Sequence, residues 1–265
     1  MKLGVNVPNF GPGTDPGVLR EWARVVEGLG FDLLMMSDHV TITPDVAQRY
    51  PAPFYEPFTA LSWLAGITTR LQLGTTILVL PYRHPLLVAR MAANLHELSG
   101  DRFVLGVGVG WARQEFDALG VPFAARGRLT DECLVVLRET WGDAIPIWVG
   151  GNGEAAIRRA VRFADAWHPL GVSIPRMREA RLNQSLPGLA PRIALRLTAA
   201  PADDSARPPG VGSIEQILDD LHQIRLLGAD AVVLDPYHGD PDETRRPHVA
   251  WQDLTVVATH WRTQS

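Results

Sequence analysis

Asp38 and His39 stand side by side in the segment SDHV, directly after an apolar run. An imidazole at the end of a strand can move protons near neutral pH, and a carboxylate beside it can bind a polar ring. The same pair also reads as a loop cap (Asp38) next to a solvated turn residue (His39), and spacing alone leaves both readings open. Gly150-Gly151-Asn152-Gly153 precedes a helical pattern. Glycines there expose main-chain N–H groups that can hold a phosphate, although a tight turn needing positive φ would use the same residues. The stretch has no lysine, so it is not a P-loop. Gly106-Val-Gly108-Val-Gly110 imitates a dinucleotide fingerprint, but its third glycine comes too early and the run overlaps a strand. Small residues that let a flat ligand approach the backbone are the better reading. At strand ends only His39, His168 and the pair Asp235 and His238 could ligate a metal, with no His-x-His after the first strand, so no metal is expected. There is no G-x-S-x-G.

These residues need elements to position them. Apolar runs at 2–7, 32–37, 71–78, 103–108, 146–149, 166–168, 192–198 and 231–234 read as strands. They are continuous rather than alternating, which is the pattern of strands buried on both faces. Helical patterns fall between them at 16–29, 57–69, 86–99, 130–141 (after a shorter piece at 113–118), 154–163, 175–185, 214–227 and 249–262. Asp15 is a natural N-cap, Pro16 suits the first helical position, and Gly30 stops the first helix. Eight β/α units in one chain of this length predict an α/β fold, a (β/α)8 TIM barrel spanning residues 1–265 as one domain, with a doubly wound open sheet as the alternative. In a barrel, function sits at the C-terminal ends of the strands, which is where Asp38, His39 and the two glycine clusters fall. Cys133, Trp22, Trp63, Trp141 and Trp148 sit at helix or strand spacing and are expected in the core. The Pro/Gly-rich stretch 200–212 is expected to be a surface loop.

Composition narrows the field. The chain has 265 residues, 46% of them apolar and 20% charged, enough for a sizeable core. Its 25 Lys and Arg against 29 Asp and Glu give a net charge of −4, so nothing draws it to nucleic acid or an anionic membrane. One cysteine excludes an internal disulfide framework. No signal-peptide pattern or membrane-length apolar run is seen, and a cytoplasmic location is expected.

Taken together, VPNFG (7–11), LGFDLLMMSDHV (29–40), RLQLGTTILVLPYRHP (70–85), the long run ELSGDRFVLGVGVGWARQEFDALGVPFAARGRLTDE (97–132), IPIWVGGNGEAAIRRAVRFADAWHPL (145–170) and GADAVVL (228–234) resemble the bacterial luciferase-like flavin and deazaflavin oxidoreductases. The resemblance implies a homodimeric (β/α)8 barrel with a flavin-type ring bound at the strand mouths. The cofactor it implies is coenzyme F420, with FMN as the alternative. Asp38 would bind the ring and His39 would serve at the reacting centre. Thr76-Ile77 would carry a non-proline cis peptide behind the ring, and Gly108 and Val109 would line it. Gly150, Gly151, Asn152 and Gly153 would hold the phosphate. Phe10, Tyr55, Trp111 and His168 would shape the cavity for a small-molecule substrate. The implied activity is F420-dependent hydride transfer; a reduced-FMN and O₂ monooxygenase and a non-catalytic cofactor-binding or dimeric scaffold are the alternatives. One departure stands out: only Gly142-Asp143-Ala144-Ile145 joins Trp141 to Pro146, where relatives carry a longer segment, so a site more open on that side, or covered by a partner subunit, is expected. Position 111 is Trp where some relatives have an acid, so no second protein acid is expected.

Overall fold

The computed structural model describes residues 1–203 and 207–263. The eight predicted strand-and-helix units follow one another in the expected order, but the strand expected over 192–198 is broken after Ala194, and its second piece pairs with residues 211–212 in a separate two-stranded sheet. The first half runs β1 (Lys2–Asn6), α1 (Pro16–Gly28), β2 (Leu33–Met36), a short α2 (Pro44–Ala47), α3 (Pro57–Ala65), β3 (Gln72–Thr75), β4 (Leu78–Val79), α4 (Pro85–Leu98), β5 (Phe103–Gly108), α5 (Arg113–Ala118) and α6 (Arg126–Trp141). The second half runs β6 (Ile147–Gly150), α7 (Glu154–Phe163), β7 (Ala166–His168), α8 (Ile174–Asn183), β8 (Arg192–Ala194), β9 (Arg196–Leu197), β10 (Val211–Gly212), α9 (Ile214–Leu226), β11 (Ala231–Asp235) and α10 (Pro247–Thr263). Asp15 caps α1 by accepting from the Val18 amide at 2.8 Å, and Gly30 beyond its end has φ +71°. The expected loop 200–212 lies partly outside the described residues, at 204–206.

The strands pair in parallel in the spatial order β7-β6-β5-β3-β2-β1-β11-β8. Bridges Trp167↔Leu189 and Leu170↔Arg192 join the two ends and close the barrel. Helical crossovers between parallel neighbours cover the outside, as the continuous apolar runs require. Successive side chains alternate between two cores. Leu33 and Met35 point inward with Val104, Trp148, Ala190 and Val233, whereas Leu34 and Met36 join the larger layer between barrel and helices.

Four details differ from or sharpen the sequence expectation. The strand expected over 71–78 is two pieces: β3 pairs with β2 and β5, β4 pairs with β5 alone, and the Thr76–Ile77 peptide between them is cis. Trp22 and Trp148 are buried, but Trp141 is only half-buried and Trp63 is exposed, with the Arg20 guanidinium over its ring. Cys133 is buried on α6, and burial pushes its thiol up to about 12. The short segment 142–145 lies at the N-terminal end of β6, and that strand then runs up to Gly150 at the opposite face. Among the described residues no helix is long and apolar enough to cross a membrane.

Candidate active site

The C-terminal ends of β2, β3, β5, β6 and β7 surround a cleft of about 320 Å³. It is walled by Ser37, Asp38, His39, Tyr50, Thr76, Ile77, Val79, Gly108, Val109, Gly110, Trp111, Gly150, Gly151, Asn152, His168, Leu170 and Arg192. That volume is at the lower end of the ~300–1,000 Å³ of small-molecule sites, and the mixture of apolar walls with a few polar groups is typical of them.

The β2 end is fixed first. Asn9, just past β1, donates from Nδ2 to the carbonyls of Ser37 (2.9 Å) and Tyr55 (2.6 Å) and accepts from the Ser37 amide at 3.2 Å. Asp38 follows, buried in the wall. Arg83 grips its carboxylate with both guanidinium nitrogens, at 2.7 and 2.8 Å, and the Val79 amide donates to Oδ2 at 2.9 Å. A bidentate buried pair of this kind is a fixed part of the framework. Asp38 therefore ties β2 to the β4 region rather than offering a free carboxylate to a ring.

His39 is placed differently. Its Nδ1 lies 2.7 Å from Oε2 of Glu115 on α5, and Nε2 makes no hydrogen bond among the described residues. Tyr50 stacks on the imidazole at 5.4 Å, and Trp111 meets it edge-on at 5.7 Å. Glu115 is fully buried. The Val40 and Thr41 amides donate to its Oε1, and the Tyr82 hydroxyl donates to Oε2 at 2.9 Å. Burial pushes the Glu115 carboxyl up, but the bonds from His39 and the two amides outweigh it and hold the group below its ordinary value. Burial beside Glu115 raises the Tyr82 hydroxyl, so it stays a donor. A carboxylate thus stands behind the site on α5, held ionised and off the cleft wall, so it offers no second acid to a substrate.

The back wall is His168, Thr76 and Arg192. His168 Nδ1 meets the Ala190 carbonyl, which can only accept, so that nitrogen carries the hydrogen. Nε2 then accepts from Thr76 Oγ1 at 2.8 Å. Burial pushes this imidazole down to about 4; the Ala190 carbonyl opposes the shift and the Arg192 charge adds to it. His168 is a neutral strut for Thr76 and has no nitrogen left for a substrate. Arg192 pairs with Asp235 at 2.6 Å and donates from Nη1 to the Thr76 carbonyl at 2.7 Å.

On the other side, a Cβ on Gly108 would come within 2.7 Å of Ile77 Cδ1, one on Gly150 within 2.7 Å of Ile77 Cγ2, and one on Gly106 within 2.0 Å of the Thr75 carbonyl. Packing of the β3–β4 joint against β5 and β6 already demands these glycines, beyond any need of a flat ligand. Gly151 has φ +121°. Asn152 closes the turn by exchanging two hydrogen bonds with Leu170, at 2.8 and 3.0 Å. The amides of Gly151, Asn152 and Gly153, directly before α7, donate to nothing among the described residues. Three unused N–H groups at the start of a ten-residue helix fit the phosphate of a nucleotide-like cofactor, as the small floor beside them fits its ring.

The structure thus brings Asp38, His39, Thr76, Ile77, Gly108, Val109, Gly150, Gly151, Asn152, Trp111 and His168 to one cleft. Gly153 is at its exposed rim, as the N-cap of α7. Phe10 and Tyr55 are not on the wall. Phe10 is buried behind it, against Tyr50 (5.0 Å), Phe54 (5.4 Å) and Tyr237 (4.8 Å), and Tyr55 is held by its amide to Asn9. Tyr50 takes the place expected of them. Tyr50, Glu115 and Arg192 were not singled out by sequence. Glu115 left a signal in the segment WARQEF, and Arg192 left one as a cation opening an otherwise apolar stretch, RIAL. The short segment 142–145 is at the far face, so it neither opens nor narrows this cleft. Among the described residues no group of His, Cys, Asp and Glu side chains gathers to hold a metal.

Known proteins agree with this architecture. An uncharacterised protein of Mycobacterium tuberculosis is 34% identical over 180 residues, 55% of this chain and 62% of that one. A phthiodiolone/phenolphthiodiolone dimycocerosates ketoreductase of the same organism is 32% identical over 149 residues, 46% of this chain and 39% of that one. The chain thus spans less than two thirds of the length of these relatives. Two solved structures share the fold over 97% of both chains: a coenzyme F420-dependent tetrahydromethanopterin reductase of Methanopyrus kandleri (16% identity, TM-score 0.72) and the oxygenating constituent of 3,6-diketocamphane monooxygenase of Pseudomonas putida, in complex with FMN (14%, 0.74). The family model for luciferase-like monooxygenases matches residues 1–208, from β1 through the β8 strand that completes the site wall, and the chain belongs to that family.

Proposed function

We propose that the cleft holds coenzyme F420 and that the chain is an oxidoreductase moving a hydride between that ring and a small carbonyl or alcohol substrate. One observation carries this reading: His39 is anchored through Nδ1 and presents an unbonded Nε2 to a ring-sized cleft. Reducing a carbonyl needs a hydride at carbon and a proton at oxygen, and oxidising an alcohol returns both. The bound deazaflavin would supply or accept the hydride. His39 gives the proton from Nε2 to the forming alkoxide, or takes it from the alcohol. Trp111 and Tyr50 hold the imidazole's direction, and the amides of Gly151 to Gly153 bind the phosphate. A ketoreductase among the relatives and an F420-dependent reductase among the structural neighbours support the choice.

Fluorescence titration with F420 and with FMN, followed by turnover on a panel of ketones and secondary alcohols, tests it. F420 binding with F420-dependent turnover is expected. FMN binding with no F420 response would reverse the cofactor choice and favour an oxygen-dependent monooxygenase, and affinity for neither would sink both. The chain acts as one cytoplasmic domain in a homodimer. The large apolar side chains left exposed on α3 and α4, Trp63, Leu86 and Leu87, support the pairing, which light scattering checks.

A further inference from the structure

Four hydrogen bonds converge on one buried carboxylate, which is more than a loop brace requires. Oε1 of Glu115 serves the loop, accepting from Val40 at 2.5 Å and Thr41 at 3.0 Å. Oε2 serves the site, meeting His39 at 2.7 Å and the Tyr82 hydroxyl at 2.9 Å. We propose that Glu115 is a positioning residue that holds neutral His39 in its Nδ1–H form, so that the lone pair of Nε2 always faces the cleft, and that stabilises the ring when it is charged. This rests on the proton-transfer role proposed for His39.

The argument is one of donors and acceptors. An ionised carboxylate can only accept, so the nitrogen facing it must carry the hydrogen, and the other nitrogen of a neutral ring must then be the base. Tyr82 and the two amides hold Glu115 in that ionised state. Its backbone is set by α5, and its loop partners belong to the same turn as His39, so ring and carboxylate move together. Neither oxygen reaches the cleft wall, so Glu115 acts only through His39.

Glu115→Gln separates the two tasks. The amide oxygen can still accept from Val40 and Thr41, while the amide nitrogen now donates to Nδ1. The ring must then flip to the Nε2–H form, with no base facing the cleft. Long-range ¹H–¹⁵N spectra of histidine-labelled protein, with the His39 signal assigned by its loss in His39→Gln, read the tautomer directly. Wild-type protein is expected to show Nδ1–H and Glu115→Gln to show Nε2–H. Alcohol oxidation in the variant, where Nε2 must take the hydroxyl proton, should fall roughly 100-fold or more in kcat, as expected for a general base in the wrong tautomer, with F420 affinity changed less than about threefold. Tyr82→Phe, which removes one donor and keeps the ring packing, should keep the Nδ1–H form and lose far less rate. An Nε2–H signature in wild type, or full activity of a folded Glu115→Gln, overturns the proposal. If Glu115→Gln does not fold, the wild-type spectrum still decides. The expected tautomers with no turnover on any substrate would uphold the positioning and overturn the hydride-transfer reading alone.

Discussion

Adjacent residues in the chain have opposite chemical standing here. Asp38 is saturated by Arg83 and the Val79 amide, whereas His39 keeps one nitrogen open. Asp38→Asn should therefore act mainly on stability. It leaves a buried guanidinium with Glu56 as its remaining carboxylate partner, at 3.0 Å, and removing one member of a buried pair costs about 3 kcal/mol or more. Denaturant unfolding checks this, and a variant of unchanged stability that has lost cofactor binding would restore Asp38 as a ring ligand. His168 gives a pH prediction. Its folded value, about 4, lies below the ordinary 6.5, so the unfolded chain binds the extra proton between these limits. The stability from the neutral buried ring is present above pH 6.5 and lost as pH falls through 4, and a shift of that size is worth about 3 kcal/mol. The drop in melting temperature from pH 7 toward 4 should be smaller in His168→Asn than in wild type, and equal drops would refute the assignment.

Among the elements, the turn between β6 and α7 offers the cleanest test of phosphate binding. Gly151→Asp is a poor probe, because φ +121° and a Cβ contact of 2.8 Å to Ala156 would strain the loop whatever its charge. Gly153 has φ −90°, open space around its Cβ, and the N-cap position of α7. Asp suits an N-cap, so Gly153→Asp should fold at least as well as wild type. Its charge beside the free amides should nevertheless weaken F420 binding roughly tenfold, about what one like charge contributes near a surface. Unchanged affinity would move the phosphate elsewhere. Elements such as α7 and β5 were legible in the sequence because a strand buried on both faces and a helix with one apolar face leave distinct hydropathy patterns. The β3–β4 joint was not, since 71–78 is one continuous apolar run and peptide geometry leaves no hydropathy trace. Glu115 was hidden for a related reason. A carboxylate in a short helix reads as solvated until α5, the β2 loop and Tyr82 are seen to meet around it. Phe10 was misplaced because a strand-end position fixes the height of a side chain in the barrel, not whether it faces the cleft or the layer behind, and Tyr55, placed by resemblance alone, sits on the loop before α3, where its amide is held by Asn9.

At the scale of the whole molecule, closure gives the barrel two unlike faces. Parallel strands put every strand-to-helix loop at the C-terminal face and every helix-to-strand loop at the other. His39, Trp111, Gly151 and Asn152 all lie on strand-to-helix connections, which is why residues beyond the ends of several strands converge on one cleft. The connection from α6 to β6 belongs to the opposite face. Its brevity is a matter of helix capping: Gly142, at φ +59°, ends α6, and Arg138 holds the turn through the Gly142 carbonyl at 3.0 Å and Asp165 at 2.8 Å. Lengthening this loop with a short Gly/Ser insertion after Asp143 should lower stability by at most about 1 kcal/mol, because closing a somewhat longer flexible loop costs little. F420 affinity and turnover should be the same as in wild type, since no insertion there can reach the cleft without crossing the barrel. Equilibrium unfolding and the cofactor titration, run on the same preparation, measure both quantities. A variant that unfolds normally yet has lost cofactor affinity would mean that the two faces communicate through the barrel, and that strand ends alone do not define the site.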